Sequence, residues 1–289
     1  MNKIAVTMDW GDGNMTRLNT SDIDRIKDNL QRNDRYWKQL LNYKLEEIAK
    51  KAVNVSDANT VLKTAVIPVT SGLGIIGGFC EAVKEILDYC GADAFITDGT
   101  DVAGILEACR KTADIIFMAD DNVCAAFSMQ GNVYSDNGYA TGIGFAAALE
   151  IMMKKAEREK VLILGAGPVG TAAAQYFSAR GAIPVLCDIL TEKAIKAASS
   201  IRNAEVEKDI AKIKSYRYIL DATNSGDFIK ARDVTEDTRI SAPGMPLGVS
   251  EEVSGLIPVF HNPLELGIMT MYFDCVKQLE ERKSRVGTD

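Results

Sequence analysis

Apolar residues Ile23, Ile26 and Leu30 recur at helical spacing after Ser21-Asp22-Ile23-Asp24, where Ser21 suits a cap and Asp24 stands three residues on. A longer helical pattern covers residues 35–53, through Trp37, Leu40, Leu41, Leu45 and Ile48. Then the period changes. Residues 65–69 form a short apolar run rich in β-branched side chains. It ends in Thr70-Ser71 and a glycine turn, and a helix through Phe79, Val83 and Leu87 follows. Residues 94–97 and 115–118 predict two more buried strands, with a helix over 102–111 between them. This alternation predicts a parallel sheet with crossover helices.

Residues 142–155 predict one helix, apolar early and basic late, that links two halves. Residues 160–164 open a second α/β unit, with later strands at 184–187, 218–220, 239–241 and 258–260. Residues 264–283 predict a last helix with Leu266, Met269, Phe273 and Val276 on its apolar face. The fold class is therefore α/β. An N-terminal helical region plus a small parallel-sheet α/β substrate domain spans 1–143, with a linking helix at 144–156. A second α/β domain spans 157–262, and a C-terminal helix, 263–289, returns to the first domain.

Composition narrows the functional classes. The 289 residues are 47% hydrophobic and 25% charged, with a net charge of −7. These are ordinary values for a globular chain with a real core. An acidic balance argues against nucleic acid and against an anionic membrane surface. No apolar run reaches transmembrane length. Residues 1–17 hold Asp9 and Asp12 without an apolar core, so they are expected to be a polar extension rather than a leader. The six cysteines (Cys80, Cys90, Cys109, Cys124, Cys187 and Cys275) lie in apolar segments without C-x-x-C spacing. Reduced thiols and a cytoplasmic location are expected. His261 is the only histidine, so neither a zinc site nor a Ser-His-Asp hydrolase is expected, and no metal is assigned.

Two stretches read Gly-x-Gly-x-x-Gly with an acidic residue beyond. The second, Gly165-Ala166-Gly167-Pro168-Val169-Gly170, follows a buried strand and precedes a helix. Gly165 suits the tight turn, Gly167 the approach of a pyrophosphate, and Gly170 close helix packing. Asp188, followed by Ile189, ends the next strand, where a carboxylate accepts from ribose hydroxyls. No Arg adjoins Asp188, which favours NAD over NADP. The first motif, Gly72-Leu73-Gly74-Ile75-Ile76-Gly77, is preceded by Thr70 and Ser71, whose hydroxyls suit a small substrate anion. Gly142-Ile143-Gly144 is a weaker match, expected to start a helix without a ligand.

Ala119-Asp120-Asp121-Asn122 follows a buried strand, at the sheet edge where open α/β folds bind ligands. Two carboxylates there suit a cation, an ammonium more simply than a metal; helix capping by Asp121 is the alternative. Asn137 could face the same cleft, although Ser135-Asp136-Asn137-Gly138 also reads as a turn. Ala222-Thr223-Asn224 and Pro243-Gly244 follow Rossmann strands and could border a nicotinamide.

Taken together, Val69-Thr70-Ser71-Gly72, Gly74-Ile75-Ile76-Gly77, Phe95-Ile96-Thr97-Asp98, Ala119-Asp120-Asp121-Asn122 and Pro243-Gly244-Met245-Pro246 resemble the PylD family. That family acts last in pyrrolysine biosynthesis. The resemblance runs from about Leu18 to the final helix, and residues 1–17 extend beyond it. It implies oxidation of L-lysine-Nε-(3R)-methyl-D-ornithine with NAD⁺, then ring closure and loss of ammonia. It implies Asp120 as the key acidic residue and Leu18, Ser71, Asp120 and Asn137 at the substrate. For the cofactor it implies Gly165, Gly167, Gly170 and Asp188; their neighbours Ala166, Pro168, Val169 and Ile189 are candidates with them, and Ala222, Thr223, Pro243 and Gly244 are candidates toward the nicotinamide from their place after the strands. The expected partner is a small-molecule isopeptide, with neither nucleic acid nor membrane, and a homodimer is compatible with the sequence. Two other classes stay open: a two-domain dehydrogenase of the shikimate or methylene-folate type, and a non-catalytic NAD-binding sensor. No Lys and Asp pair is placed as the shikimate enzymes require.

Overall fold

The computed structural model describes residues 30–56 and 61–286. The expected helix starting near Ser21, and Leu18 with it, lie outside the described residues. Two helices, α1 (Leu30–Leu41) and α2 (Leu45–Val53), replace the single helix expected over 35–53. The chain breaks at Asn42, whose φ of 60° leaves the right-handed helical region. Two carboxylates then start the new helix. Asp34 accepts from the Leu45 amide (2.7 Å), and Glu47 accepts from the Lys44 amide (2.6 Å). Asp34 is only 3% exposed, and the Tyr89 hydroxyl donates to its other oxygen at 2.6 Å. Asp34→Ala removes the cap and strands the buried Leu45 amide and the half-buried Tyr89 hydroxyl. A loss of about 2–4 kcal/mol is expected, read as a lower thermal midpoint.

The first sheet has the order β2-β1-β3-β4-β5. Strands β1 (Lys63–Ile67), β2 (Asp93–Ile96) and β3 (Ile115–Ala119) are parallel, joined through α3 (Phe79–Tyr89) and α4 (Asp101–Arg110). This much matches the expectation. The sheet then continues into an antiparallel hairpin, β4 (Cys124–Ser128) and β5 (Val133–Asp136), which the pattern did not predict. Strand β4 reads Cys-Ala-Ala-Phe-Ser, short of the β-branched residues that mark strands. Its small residues let the last helix lie close, with Cys275 Sγ 3.7 Å from the Ala126 carbonyl.

Helix α5 (Asn137–Met153) starts earlier than expected, so Asn137 is helical and Gly142-Ile143-Gly144 lies inside the helix rather than at its start. A side chain at Gly142 would fall on the Val169 carbonyl and on Ala172, and one at Gly144 would meet Thr270 and Leu266. These glycines let α5 pack tightly between its neighbours. The second sheet is parallel throughout, with order β11-β10-β9-β6-β7-β8. It comprises β6 (Lys160–Leu164), β7 (Ile183–Cys187), β8 (Glu205–Val206), β9 (Tyr218–Asp221), β10 (Arg239–Ser241) and β11 (Val259–Phe260). Helices α6 (Pro168–Ala179), α7 (Thr191–Ser199) and α8 (Glu251–Leu256) connect its strands.

Helix α9 (Glu265–Val286) returns to the first sheet, where Gln278 Nε2 donates to the Tyr134 carbonyl at 2.9 Å. Its predicted apolar face, Leu266, Met269, Phe273 and Val276, is buried. Two contacts tie α1 to the end of the second unit. Trp37 packs on Phe260 with ring centroids 4.4 Å apart, and Asn33 Nδ2 donates to Glu265 Oε1 at 3.0 Å. On α5, Glu150 gathers Lys51 (3.0 Å), the Tyr176 hydroxyl (2.8 Å) and Arg180 (3.4 Å), so α2, α5 and α6 meet at one carboxylate. No helix among the described residues is long and apolar enough to cross a membrane.

Candidate active site

The two glycine motifs fold differently. In the second, Gly165 has a φ of +88°, and a Cβ there would come within 2.8 Å of the Ala222 carbonyl. Gly167 caps α6 and Pro168 occupies its first turn. Gly170 packs against the Gly165 carbonyl with no room for a side chain. Asp188 spans the turn. Its Oδ2 accepts from the Ala166 amide (2.8 Å) and its Oδ1 from the Leu190 amide (2.8 Å). Ile189 beside it is 98% exposed. A bare helix start, a turn without side chains and an anchored carboxylate fit the pyrophosphate and ribose of a dinucleotide.

The first motif makes no such cradle. The chain continues through residues 68–78 before α3 begins at Phe79, so the glycines do not open a helix. Asp101 accepts from the Thr70 amide (2.9 Å) and the Thr70 hydroxyl (2.6 Å), and Asp121 accepts from the Leu73 amide (2.6 Å). The chain's own carboxylates thus engage donors that a substrate anion was expected to meet. A side chain at Gly72 would fall on Asp121. Ser71 is exposed in this turn and does not line the cavity described next.

A cavity of about 460 Å³ lies between the two sheets' carboxyl ends. Its size suits a small metabolite. Its apolar wall includes Ile67, Val69, Ile76, Phe79 and Leu264. Its polar wall holds Asp120, Asp121, Asn122, Asp136, Asn137 and Thr141. Pro168 and Val169 bring the second glycine turn to the same space, and Pro243 and Met245 border it. Gly165, Ala166, Gly167, Gly170, Asp188, Ile189, Ala222, Thr223 and Gly244 do not line it. Among the described lining residues there is no Lys, Arg or His.

Asp120 follows β3 in a tight turn. Its Oδ1 accepts from the amides of Asn122 (2.7 Å) and Val123 (2.8 Å), and Oδ2 makes no further bond among the described residues. The carboxylate is exposed, not buried. Asp121 grips the first glycine turn instead of capping a helix. Asn137 begins α5, where its Oδ1 takes the Thr141 hydroxyl at 3.0 Å. Sequence reasoning missed Asp136 as a site residue. It ends β5, caps α5 through the Tyr139 amide (3.0 Å) and lines the same cavity. The unrecognised hairpin hid it, because β5 runs parallel to β3 and delivers its last residue to the same edge.

Other reactive groups are out of play. Burial pushes the Cys80 thiol up to about 11 and that of Cys124 up to about 12, so neither offers a thiolate to the cavity they line. All six cysteines are free, with Cys109 exposed. His261 holds the Ala242 carbonyl at 2.7 Å; burial lowers its pKa and it is not in the cavity wall.

Comparison with known proteins follows the same division. Residues 22–135 match the family described as pyrrolysine biosynthesis protein PylD, N-terminal domain. The chain is 29% identical over 261 residues to a pyrrolysine synthase of Methanosarcina barkeri, covering 90% of this chain and 97% of that one. A pyrrolysine synthase of Methanosarcina acetivorans is 29% identical over 263 residues, covering 90% and 99%. Among solved structures, quinate dehydrogenase from Corynebacterium glutamicum in complex with NAD is similar in fold. It has a TM-score of 0.51 and 13% identity, over 77% of this chain and 98% of that one.

Proposed function

We propose that the chain is a member of the PylD family and forms L-pyrrolysine by NAD-dependent oxidation of L-lysine-Nε-(3R)-methyl-D-ornithine, a reading supported by its similarity to that family's N-terminal domain and to two pyrrolysine synthases. The observation that carries this reading is the cavity wall. It presents Asp120, Asp121 and Asp136 and no described cation, beside the cofactor turn. The isopeptide has more ammonium groups than carboxylates, so its charge complements that wall. Hydroxy-acid substrates are anionic and would meet repulsion there.

The terminal ammonium, with a pKa near ~10.4, is protonated at neutral pH and cannot release hydride until a proton leaves. Asp120 stands ready for this: its Oδ1 is held by two amides, which leaves Oδ2 to bind the ammonium and take the proton. Substrate filling the cavity covers this carboxylate and excludes water from it. When bound, NAD⁺ accepts the hydride from the amine-bearing carbon. The ornithine α-amine then attacks the resulting imine carbon, closing the pyrroline ring as ammonia departs. Asp136 and Asn137, at the start of α5, would orient the amine that attacks. Ser71 and Leu18 are proposed to contact the far end of the isopeptide.

Asp188 supports NAD over NADP. Its carboxylate occupies the ribose end of the turn, where a 2′-phosphate would be repelled. The deciding experiment incubates purified protein with the isopeptide and either NAD⁺ or NADP⁺, with shikimate, quinate, methylene-tetrahydrofolate and simple diamines in parallel. NADH formation with the isopeptide, together with the mass of the pyrroline product, is the expected result. Oxidation of a hydroxy acid or folate instead would return the chain to the alternative dehydrogenases. Cofactor binding without any turnover would leave the sensor.

A further inference from the structure

Asp221 ends β9 and is wholly buried, yet it does not line the cavity. It sits where two loops cross. Its Oδ1 accepts from the Thr223 amide (3.1 Å) and the Thr223 hydroxyl (2.7 Å). Its main-chain carbonyl accepts from the Gly244 amide at 3.0 Å. Its Oδ2 has no complete hydrogen bond and lies against Gly248, where even a Cβ would collide with it. Phe228 covers the same spot. The roof is itself knitted together, because Gly248 accepts from the amides of Phe228 (2.8 Å) and Ile229 (2.9 Å). One carboxylate therefore touches the loop after β9 and the loop after β10. Those loops carry Thr223 in one case and Pro243 to Met245 in the other, and of these Pro243 and Met245 line the cavity beside Pro168 and Val169.

We propose that Asp221 is a positioning residue that locks these two loops in register and so shapes the nicotinamide end of the cofactor site. The inference rests on the dinucleotide reading above. An ionised carboxylate accepts from both sides at once, from Thr223 through Oδ1 and toward the Gly248 amide through Oδ2. An amide or a protonated carboxyl would turn a donor toward the Gly248 N–H. Burial pushes the Asp221 carboxyl up to about 6, opposed by Thr223 and then by the Gly248 amide. No charged side chain contributes to that shift, and the nearby Asp227 and Lys230 are paired with each other at 2.7 Å.

The sign of the stability effect follows. Between the ordinary Asp range and about pH 6 the folded chain holds a proton that the unfolded chain has released. Stability from this group therefore falls as pH rises through that window and stays reduced above it. Replacing the carboxylate with an amide relieves that cost at neutral pH while damaging the loops. Stability and cofactor affinity move in opposite directions, which a residue needed only for folding would not produce.

The test is NADH binding by fluorescence, with thermal melting, at about pH 7.5 and about pH 5.5 for wild type, Asp221→Asn and Thr223→Val. At pH 7.5 Asp221→Asn should weaken NADH binding ~tenfold or more, the scale of one charge-assisted hydrogen bond, without a lower melting temperature. Wild type should lose affinity between pH 7.5 and 5.5, and Asp221→Asn should show no such step. Thr223→Val keeps the carboxylate but removes a donor, so binding should weaken and the pH step should move upward. Wild-type affinity in Asp221→Asn, or a pH step of equal size in both proteins, would overturn the assignment. If wild type binds no NADH, the dinucleotide reading falls and this inference with it. NADH binding without isopeptide turnover removes only the substrate reading.

Discussion

Asp120→Asn should bind NADH within about twofold of wild type and lose on the order of 10²–10⁴ in kcat/KM for the isopeptide, the range that general acid–base groups contribute. The substitution is conservative in shape. An Asn oxygen still accepts from the amides of Asn122 and Val123, so the turn after β3 keeps its form. What disappears is a charge to pair with the substrate ammonium and an oxygen able to take its proton. Steady-state rates of NADH formation, with NADH affinity measured separately, distinguish the two contributions. A fall in kcat reports lost proton transfer, and a rise in KM alone reports lost ammonium binding. Wild-type turnover in this variant would remove Asp120 from the chemistry and turn attention to Asp136, the other cavity carboxylate that ends a strand at the same sheet edge.

Which parts of the site were readable in the chain depended on how strongly the local pattern was tied to burial. Strands 63–67, 160–164 and 183–187 are apolar runs buried on both faces, and such runs stand out without any partner in view. Asp120 was readable because it comes straight after another such apolar strand, Ile115–Ala119. The hairpin of β4 and β5 was not readable: Ala125, Ala126 and Ser128 carry no strand signal, and their fit beneath α9 exists only in three dimensions. Losing the hairpin also lost Asp136. The break between α1 and α2 was hidden for another reason. Leu41, Leu45 and Ile48 keep helical spacing across it, while the stop is set by Asn42 and by the long-range acceptor Asp34. Asp221 offers the same lesson at a finer scale, since Leu220-Asp221-Ala222 reads as an ordinary strand end and nothing in it announces complete burial.

The two glycine motifs, alike in spelling, should respond in opposite ways to one added methyl group. In Gly170→Ala the new Cβ falls on the Gly165 carbonyl oxygen and 3.3 Å from Ile163 Cγ2. Neither neighbour can yield. The carbonyl belongs to a turn fixed by the Gly165 amide on Cys187 (2.8 Å), and Ile163 is buried in β6. Helix α6 cannot slide away either, because Gly142 of α5 already touches the Val169 carbonyl and Ala172. The helix start must tilt, and the amides that face the pyrophosphate tilt with it. A cost of about 1–3 kcal/mol in stability is expected from such overpacking. Loss of NADH affinity by at least ~100-fold is expected as well, since an anion site at a helix end depends on where those amides point. Gly74→Ala is the matched control. Its φ of +80° makes alanine strained, by roughly 1–2 kcal/mol, but its Cβ would meet nothing within 4 Å. Its melting temperature should fall while its NADH affinity stays within about twofold of wild type. Thermal melts and NADH titrations on both variants check the contrast. Equal losses of NADH affinity would mean that the second turn has no special claim on the dinucleotide.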